Sequence, residues 1–148
     1  MNPVSLMKWM RFWPPYWGAG IRVTHVNEAL THLEVEMRLT RFNRNYVGTH
    51  FGGSLYSMVD PFYMLMLMQS LGRDYIIWDK AATIQFKKTG RGRVVATFDL
   101  SPQKIAEIRE AADSGGKVEP VFNVEIKNDV GEIIALVEKV LYVRRKPA

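Results

Sequence analysis

The side chains with the most chemical potential in this sequence lie between Asn45 and Asp60: an amide at Asn45, an imidazole at His50, two glycines at Gly52 and Gly53, and the carboxylate of Asp60. Asp60 is the only formally charged residue between Arg44 and Arg73. Its neighbours are almost all apolar, from Leu55, Tyr56, Met58 and Val59 to Phe62 and the run Tyr63–Met68. Packing has no need of a carboxylate there. Burial disfavours its ionised form, so it must find hydrogen-bond partners or a raised pKa, and such a group is a functional candidate. The alternative is an Asp that caps a kink, since Pro61 has no N–H for the Ser57 carbonyl and its ring disturbs that turn.

Gly52 and Gly53 allow close approach to the backbone. If a helix starts there, its first N–H groups have no internal partner and carry the positive end of the dipole, a place for a polarised carbonyl oxygen or an anion. Tight packing at a turn is the competing explanation. Asp60 follows Gly53 by seven residues, about 10 Å along a helix. A base and an oxyanion donor must each come within about 3 Å of one reacting centre. One helix does not easily supply both, whereas two antiparallel helices from two subunits do. A real site therefore implies a homodimer with composite active sites.

The elements around these residues follow from periodicity. Apolar residues from about 52 to 71 predict one helix, buried because it is apolar all round. Ile21–Glu28, Leu33–Leu39, Tyr75–Phe86, Val94–Leu100, Phe122–Ile126 and Glu132–Val143 predict strands, several with one apolar face. Ser101–Pro102 predicts the capped start of a second helix running to about Ala112. Successive hairpins of this kind predict an α+β domain with an antiparallel sheet. The methionines of the central helix, Met58, Met64, Met66 and Met68, belong to the core or line an apolar tunnel beside it. Trp78–Asp79–Lys80 is unusual inside a strand and places Asp79 at the site, at a subunit interface or at a surface pair.

The bulk numbers narrow the functional classes. The 148 residues fit one domain spanning 1–148, with residues 1–17 as an N-terminal arm. Apolar residues are 47% and charged residues 24%, ordinary for a globular protein. There are no cysteines, which excludes disulfides, thiolate zinc sites and a cysteine nucleophile, and fits a cytoplasmic location. The net charge of +5 is too mild and dispersed for a nucleic-acid footprint. Small basic clusters, Lys87–Lys88–Arg91–Arg93 among them, suit a phosphate-bearing small ligand. The segment Phe51–Gly72 is long enough to span a bilayer, but Asp60 and Pro61 would then lie near its centre, so no transmembrane segment is expected. Met1–Trp17 is aromatic and basic, does not read as a signal peptide, and is expected to be a packed arm, with an amphipathic membrane or partner surface as the alternative. No metal-ligand spacing, phosphate loop or dinucleotide fingerprint is present, and no cofactor is expected.

The spacing Asn45-x-x-Gly48-x-x-x-Gly52-Gly53 followed by Asp60 resembles hotdog-fold thioesterases, in particular the phenylacetic-acid-degradation type of acyl-CoA thioesterase, over roughly residues 20–145. The resemblance implies a hotdog fold, a curved antiparallel sheet around one long central helix, and hydrolysis of an acyl-CoA-like thioester. It implies Asp60 as general base or nucleophile, the Gly53 N–H with Gly52 as polariser of the thioester carbonyl, and Asn45 as a residue orienting the site or the water. His50, Phe51 and Thr83 would border the substrate, and Lys87, Lys88 and Arg91 would meet the CoA phosphates. The family usually has His directly before its two glycines. This chain has Phe51 there and His50 one place earlier. That departure favours a second reading, a non-catalytic acyl-CoA or fatty-acyl binding protein on the same scaffold. A dehydratase ranks well below the thioesterase, because His50 and Asp60 are too close in sequence. Homodimer and homotetramer both remain open.

Overall fold

The computed structural model describes residues 2–148, so Met1 of the expected arm lies outside the described residues. The chain begins with two short helices, α1 (Pro3–Trp9) and α2 (Pro14–Ala19), joined by a 3-10 turn at Met10–Phe12. Each has Pro in its first turn, where the missing N–H costs nothing. Then follow β1 (Ile21–Val26), β2 (His32–Arg38), α3 (Gly52–Ser57), α4 (Phe62–Leu71), β3 (Tyr75–Phe86), β4 (Arg93–Asp99), α5 (Pro102–Asp113), β5 (Val121–Asn128) and β6 (Ile133–Arg145).

The six strands form one antiparallel sheet in the order β1-β2-β4-β5-β6-β3, leaving β1 and β3 as its edges. Period-two alternation turns one face inward: Leu33, Val35 and Met37 on β2, Val94, Ala96 and Phe98 on β4, Phe122, Val124 and Ile126 on β5. The central helical run meets that face through Leu55, Phe62, Tyr63, Met66 and Leu67, all buried. Aromatic contacts lock the layers, with Phe62 and Tyr63 against Phe98 and Tyr63 stacked on Phe122 at 4.2 Å between centroids. Met58 and Met66 are core side chains, whereas Met68 is about half exposed.

The helical run expected over 52–71 is present but interrupted by a turn at Met58–Pro61. Pro61 causes the break, since it cannot donate to the Ser57 carbonyl. The arm repairs the loss: the hydroxyl of Tyr16 donates to that carbonyl at 2.8 Å. Tyr16 is itself buried, beside Phe62. Burial and the nearby charge of Asp60 hold its phenol well above the usual tyrosine range. The predicted cap at Ser101 is present, its hydroxyl accepting from Lys104 N at 3.1 Å.

Candidate active site

Asp60 lies in the turn between α3 and α4, and its side chain is about half exposed rather than buried. Its compensation comes from the last strand. Lys139 on β6 is fully buried, and its Nζ donates to Asp60 Oδ1 at 3.0 Å and to the Tyr56 hydroxyl oxygen at 3.1 Å. The Tyr56 hydroxyl in turn donates to Asp60 Oδ1 at 2.7 Å. Tyr56 stands one helical turn before Asp60, the spacing at which side chains on a helix meet. Among the described residues Oδ2 of Asp60 receives no such bond, and it is the oxygen left for a substrate or water.

A second carboxylate completes the group. Asp79 Oδ1 sits 2.9 Å from Lys139 Nζ, close enough for charge attraction but poorly aligned for a hydrogen bond. Strand register explains how it gets there. Lys139 belongs to the inward phase of β6 with Val137, Leu141 and Val143. On β3 the matching inward residues are Ile84, Ala82 and Asp79, the partners of Val137, Lys139 and Leu141. A bulge between Asp79 and Ala81 absorbs Lys80, which turns outward to pair with Glu119. Without the bulge Lys80 would stand opposite Leu141, and the cluster would hold two lysines and one aspartate.

These contacts move the titrations. Burial, and to a lesser degree the charge of Asp60, raise the Asp79 carboxyl above the usual range despite the pull of Lys139. Burial works against the Lys139 ammonium, yet its contacts with Asp79, Tyr56 and Asp60 outweigh it and hold the pKa above the ordinary lysine value. Burial and the bond to Asp60 raise the Tyr56 phenol. The cleft beside the cluster has a volume of about 490 Å³ and is lined by Tyr56, Asp60 and the β3 residues Asp79–Ala82 and Ile84.

A separate cleft of about 430 Å³ opens at the start of α3, lined by Asn45, Thr49, His50, Gly52, Leu55 and Phe86–Gly90. It gathers several of the expected residues but not Asp60. The Ser54 and Leu55 N–H groups both bond to the Phe51 carbonyl, whereas those of Gly52 and Gly53 have no acceptor among the described residues. Aromatic rings crowd both glycines. A Cβ on Gly53 would lie 2.6 Å from Phe51 Cε1, and one on Gly52 would lie 2.9 Å from Phe86 Cζ.

Asn45 bonds within its own loop. Its Nδ2 donates to Thr49 Oγ1 at 2.9 Å, and its Oδ1 accepts from the N–H groups of Val47 and Thr49 at 3.1 and 2.9 Å. Those bonds build the loop that leads into α3. His50 is buried, with Nε2 2.9 Å from the Gly92 carbonyl oxygen, so that nitrogen carries the proton. Its Nδ1 is buried without a partner among the described residues, and burial lowers the imidazole pKa. Thr83 falls on the opposite phase of β3, in a groove with Gln85, Asn123, Glu125 and Glu138, away from Asp60. Lys87 and Lys88 border the α3 cleft, Lys88 paired with Glu132 at 2.7 Å. Arg91 donates to the Gly48 carbonyl at 3.3 Å, while Arg93 is committed to Glu36 and Asp129.

Periodicity marks one further residue of the cluster. Lys139 interrupts the inward apolar series of β6, and a lysine in that phase requires a buried anion. Among the described residues no cluster of potential metal ligands occurs, and no helix is long and apolar enough to cross a membrane.

Several solved structures share this fold. A Pseudomonas aeruginosa protein of unknown function, described as a probable thioesterase, superposes with a TM-score of 0.85 at 17% identity, over 97% of this chain and 96% of its own. A Chlorobaculum tepidum protein of unknown function gives 0.76 at 16% identity, over 98% of this chain and 94% of its own. A Haemophilus influenzae thioesterase gives 0.63 at 14% identity, over 87% and 81%. No curated protein matches in sequence. The family model that does match spans residues 4–143, and the chain belongs to that family, a domain of unknown function designated DUF4442.

Proposed function

We propose that this chain is a hotdog-fold hydrolase of acyl thioesters, with acyl-CoA as the substrate class and Asp60 as the reacting carboxylate. The observation that carries the reading is the posture of Asp60. Lys139 and Tyr56 both donate to one of its oxygens, the other accepts no bond from the described residues, and the residue lines a cleft. A carboxylate held this way accepts a proton from water as the water oxygen bonds to the thioester carbon. The carbon–sulfur bond then breaks and the thiol departs with a proton. Direct attack by Asp60 is the covalent variant of the same chemistry. The free N–H groups of Gly52 and Gly53 suit the developing oxyanion.

Within one chain the two clefts both border β3, one along Asp79–Ile84 and the other from Phe86 onward. Two copies pairing along their β3 edges would set the Asp60 cleft of each against the α3 start of the other, giving the composite site that helix arithmetic requires. Thioesterase structures of the same fold support the reaction class. The phenylacetic-acid-degradation type is the branch whose motif fits best, and Lys87, Lys88 and Arg91 remain the basic residues offered to the CoA phosphates. The second reading, an acyl-thioester binding protein without turnover, draws on Phe51, whose ring lies over Gly53.

A panel of acyl-CoAs assayed with wild type and Asp60→Asn separates them. Hydrolysis that falls by about 10²–10⁴-fold in the variant, the usual contribution of a general base, supports the enzyme. Binding without turnover in both proteins supports the second reading.

A further inference from the structure

We propose that the N-terminal arm, together with the adjoining loop at Phe42, is a docking surface for an anionic phospholipid membrane. The arm is fixed, not loose. Met7 and Tyr16 are buried, and the hydroxyl of Tyr16 closes the break before Pro61. Held in that position, it turns four rings outward: Trp9 is 59% exposed, Phe12 55%, Trp13 50% and Trp17 75%. At the roughly 200 Å² typical of an aromatic side chain, they expose on the order of 500 Å² in total, and Trp9 and Phe12 adjoin with ring centroids 5.1 Å apart. Asn43 donates to the Ala19 carbonyl at 2.8 Å and so brings its loop against the end of α2, adding Phe42, which is 94% exposed.

Charge selects the partner. No aspartate or glutamate occurs in residues 1–27 or 37–59. Lys8, Arg11, Arg41 and Arg44 are exposed there, in no ion pair with another described residue, and Arg11 lies over the Phe12 ring at 4.9 Å. Tryptophans beside unpaired basic side chains are the composition of interfacial segments: the indole sits at headgroup depth and the cations meet lipid phosphate. The arm packs on β1, the edge of the sheet opposite β3, so pairing two copies along β3 leaves both arms outward. The inference stands whether or not the chain hydrolyses thioesters.

The test uses the full chain with vesicles of phosphatidylcholine alone and vesicles in which about a third of the lipid is phosphatidylglycerol. Co-sedimentation with the anionic vesicles, a blue shift of tryptophan emission, and at least about tenfold weaker binding to neutral vesicles or in high salt are expected. Trp9→Ser/Trp17→Ser removes the two most exposed indoles, and Lys8→Glu/Arg11→Glu reverses the charge; none of these four residues is in the core. Each pair should weaken sedimentation about tenfold with an unchanged thermal midpoint. Failure to sediment with either vesicle overturns the proposal, as does equal binding by the variants. Self-association without lipid that Trp9→Ser/Trp17→Ser abolishes overturns it in favour of a second copy as occupant.

Discussion

Lys139→Met is the most informative single change. It keeps much of the stem's volume and removes the cation that holds two carboxylates. Severing a fully buried ion pair costs about 3–5 kcal/mol. Here the Lys139 side chain is 1% exposed, but those of Asp60 and Asp79 are 48% and 23% exposed. Solvent therefore recovers part of the loss, and the expected cost is about 2–3 kcal/mol. That corresponds to about 1–2 M in urea midpoint, or about 4–12 °C in Tm for a chain of this size. The loss depends on pH. Because the Asp79 carboxyl is raised in the fold, the folded state holds its proton more tightly than the unfolded chain does. The resulting stabilisation is complete below the ordinary carboxylate value of about 3.9 and is lost as pH rises through the raised one. Removing Lys139 takes away the contact that pulls Asp79 down, so the window widens upward and the variant's deficit should be larger at pH 8 than at pH 5. Asp79→Asn added to Lys139→Met should recover at least about 1 kcal/mol relative to additivity. Urea unfolding of the four proteins at the two pH values tests this. A Lys139→Met midpoint equal to wild type at both, or a cost that Asp79→Asn leaves untouched, refutes the buried cluster.

Three further outcomes are expected. Tyr16→Phe strips the donor from the Ser57 carbonyl and should cost about 1–3 kcal/mol; in a Pro61→Ala background, where residue 61 regains an N–H, calorimetry should find that cost smaller by about 1 kcal/mol. Burial lowers the His50 pKa in the fold, so protonation favours the unfolded chain. Tm should be level above about pH 6.5 and fall as pH drops through the lowered value, and His50→Gln should flatten that slope. Gly53→Ala places a methyl 2.6 Å from the half-exposed Phe51 ring, which can swing into solvent. Its thermal midpoint should reflect less than about 1 kcal/mol, and the shift should vanish in a Phe51→Ala background.

Asp60 was legible because a single charge in a long apolar run has no packing rationale. Its surroundings were less so. The expectation of burial assumed a continuous helix, and the break at Pro61 instead lifts the carboxylate to the cleft. Lys139 was visible in principle as the odd member of Val137, Lys139, Leu141 and Val143. Joining it to Asp79 required the β3–β6 register and its bulge, and one residue of slip exchanges Asp79 for Lys80. Asn45 entered only through the resemblance; in the structure it borders the α3 cleft while both of its polar atoms bond within the loop. The helices of the arm, seven and six residues long, are too short for a 3.6-residue period to declare itself.

The cluster also bears on why Asp60 is there at all. Replacing a buried ionic group by apolar side chains of similar volume is often neutral or stabilising. Methionine at 139 with apolar residues at 60 and 79 would pack the same volume without the desolvation of an ammonium and a carboxylate. Stability alone therefore gives no reason to bury Lys139 in the inward phase of β6. A reason appears if Asp60 must be held at the rim with one oxygen pinned and the other open, because that posture needs a cation beneath it. Asp79 then balances a lysine whose charge a single, half-solvated carboxylate would leave poorly compensated. On this argument the cost of the cluster falls on the fold and its benefit on the open oxygen of Asp60. The triple variant Asp60→Leu/Asp79→Leu/Lys139→Met should accordingly recover most of the stability lost in Lys139→Met alone while showing no turnover, whereas a triple variant as unstable as Lys139→Met would return the cluster to a purely structural role.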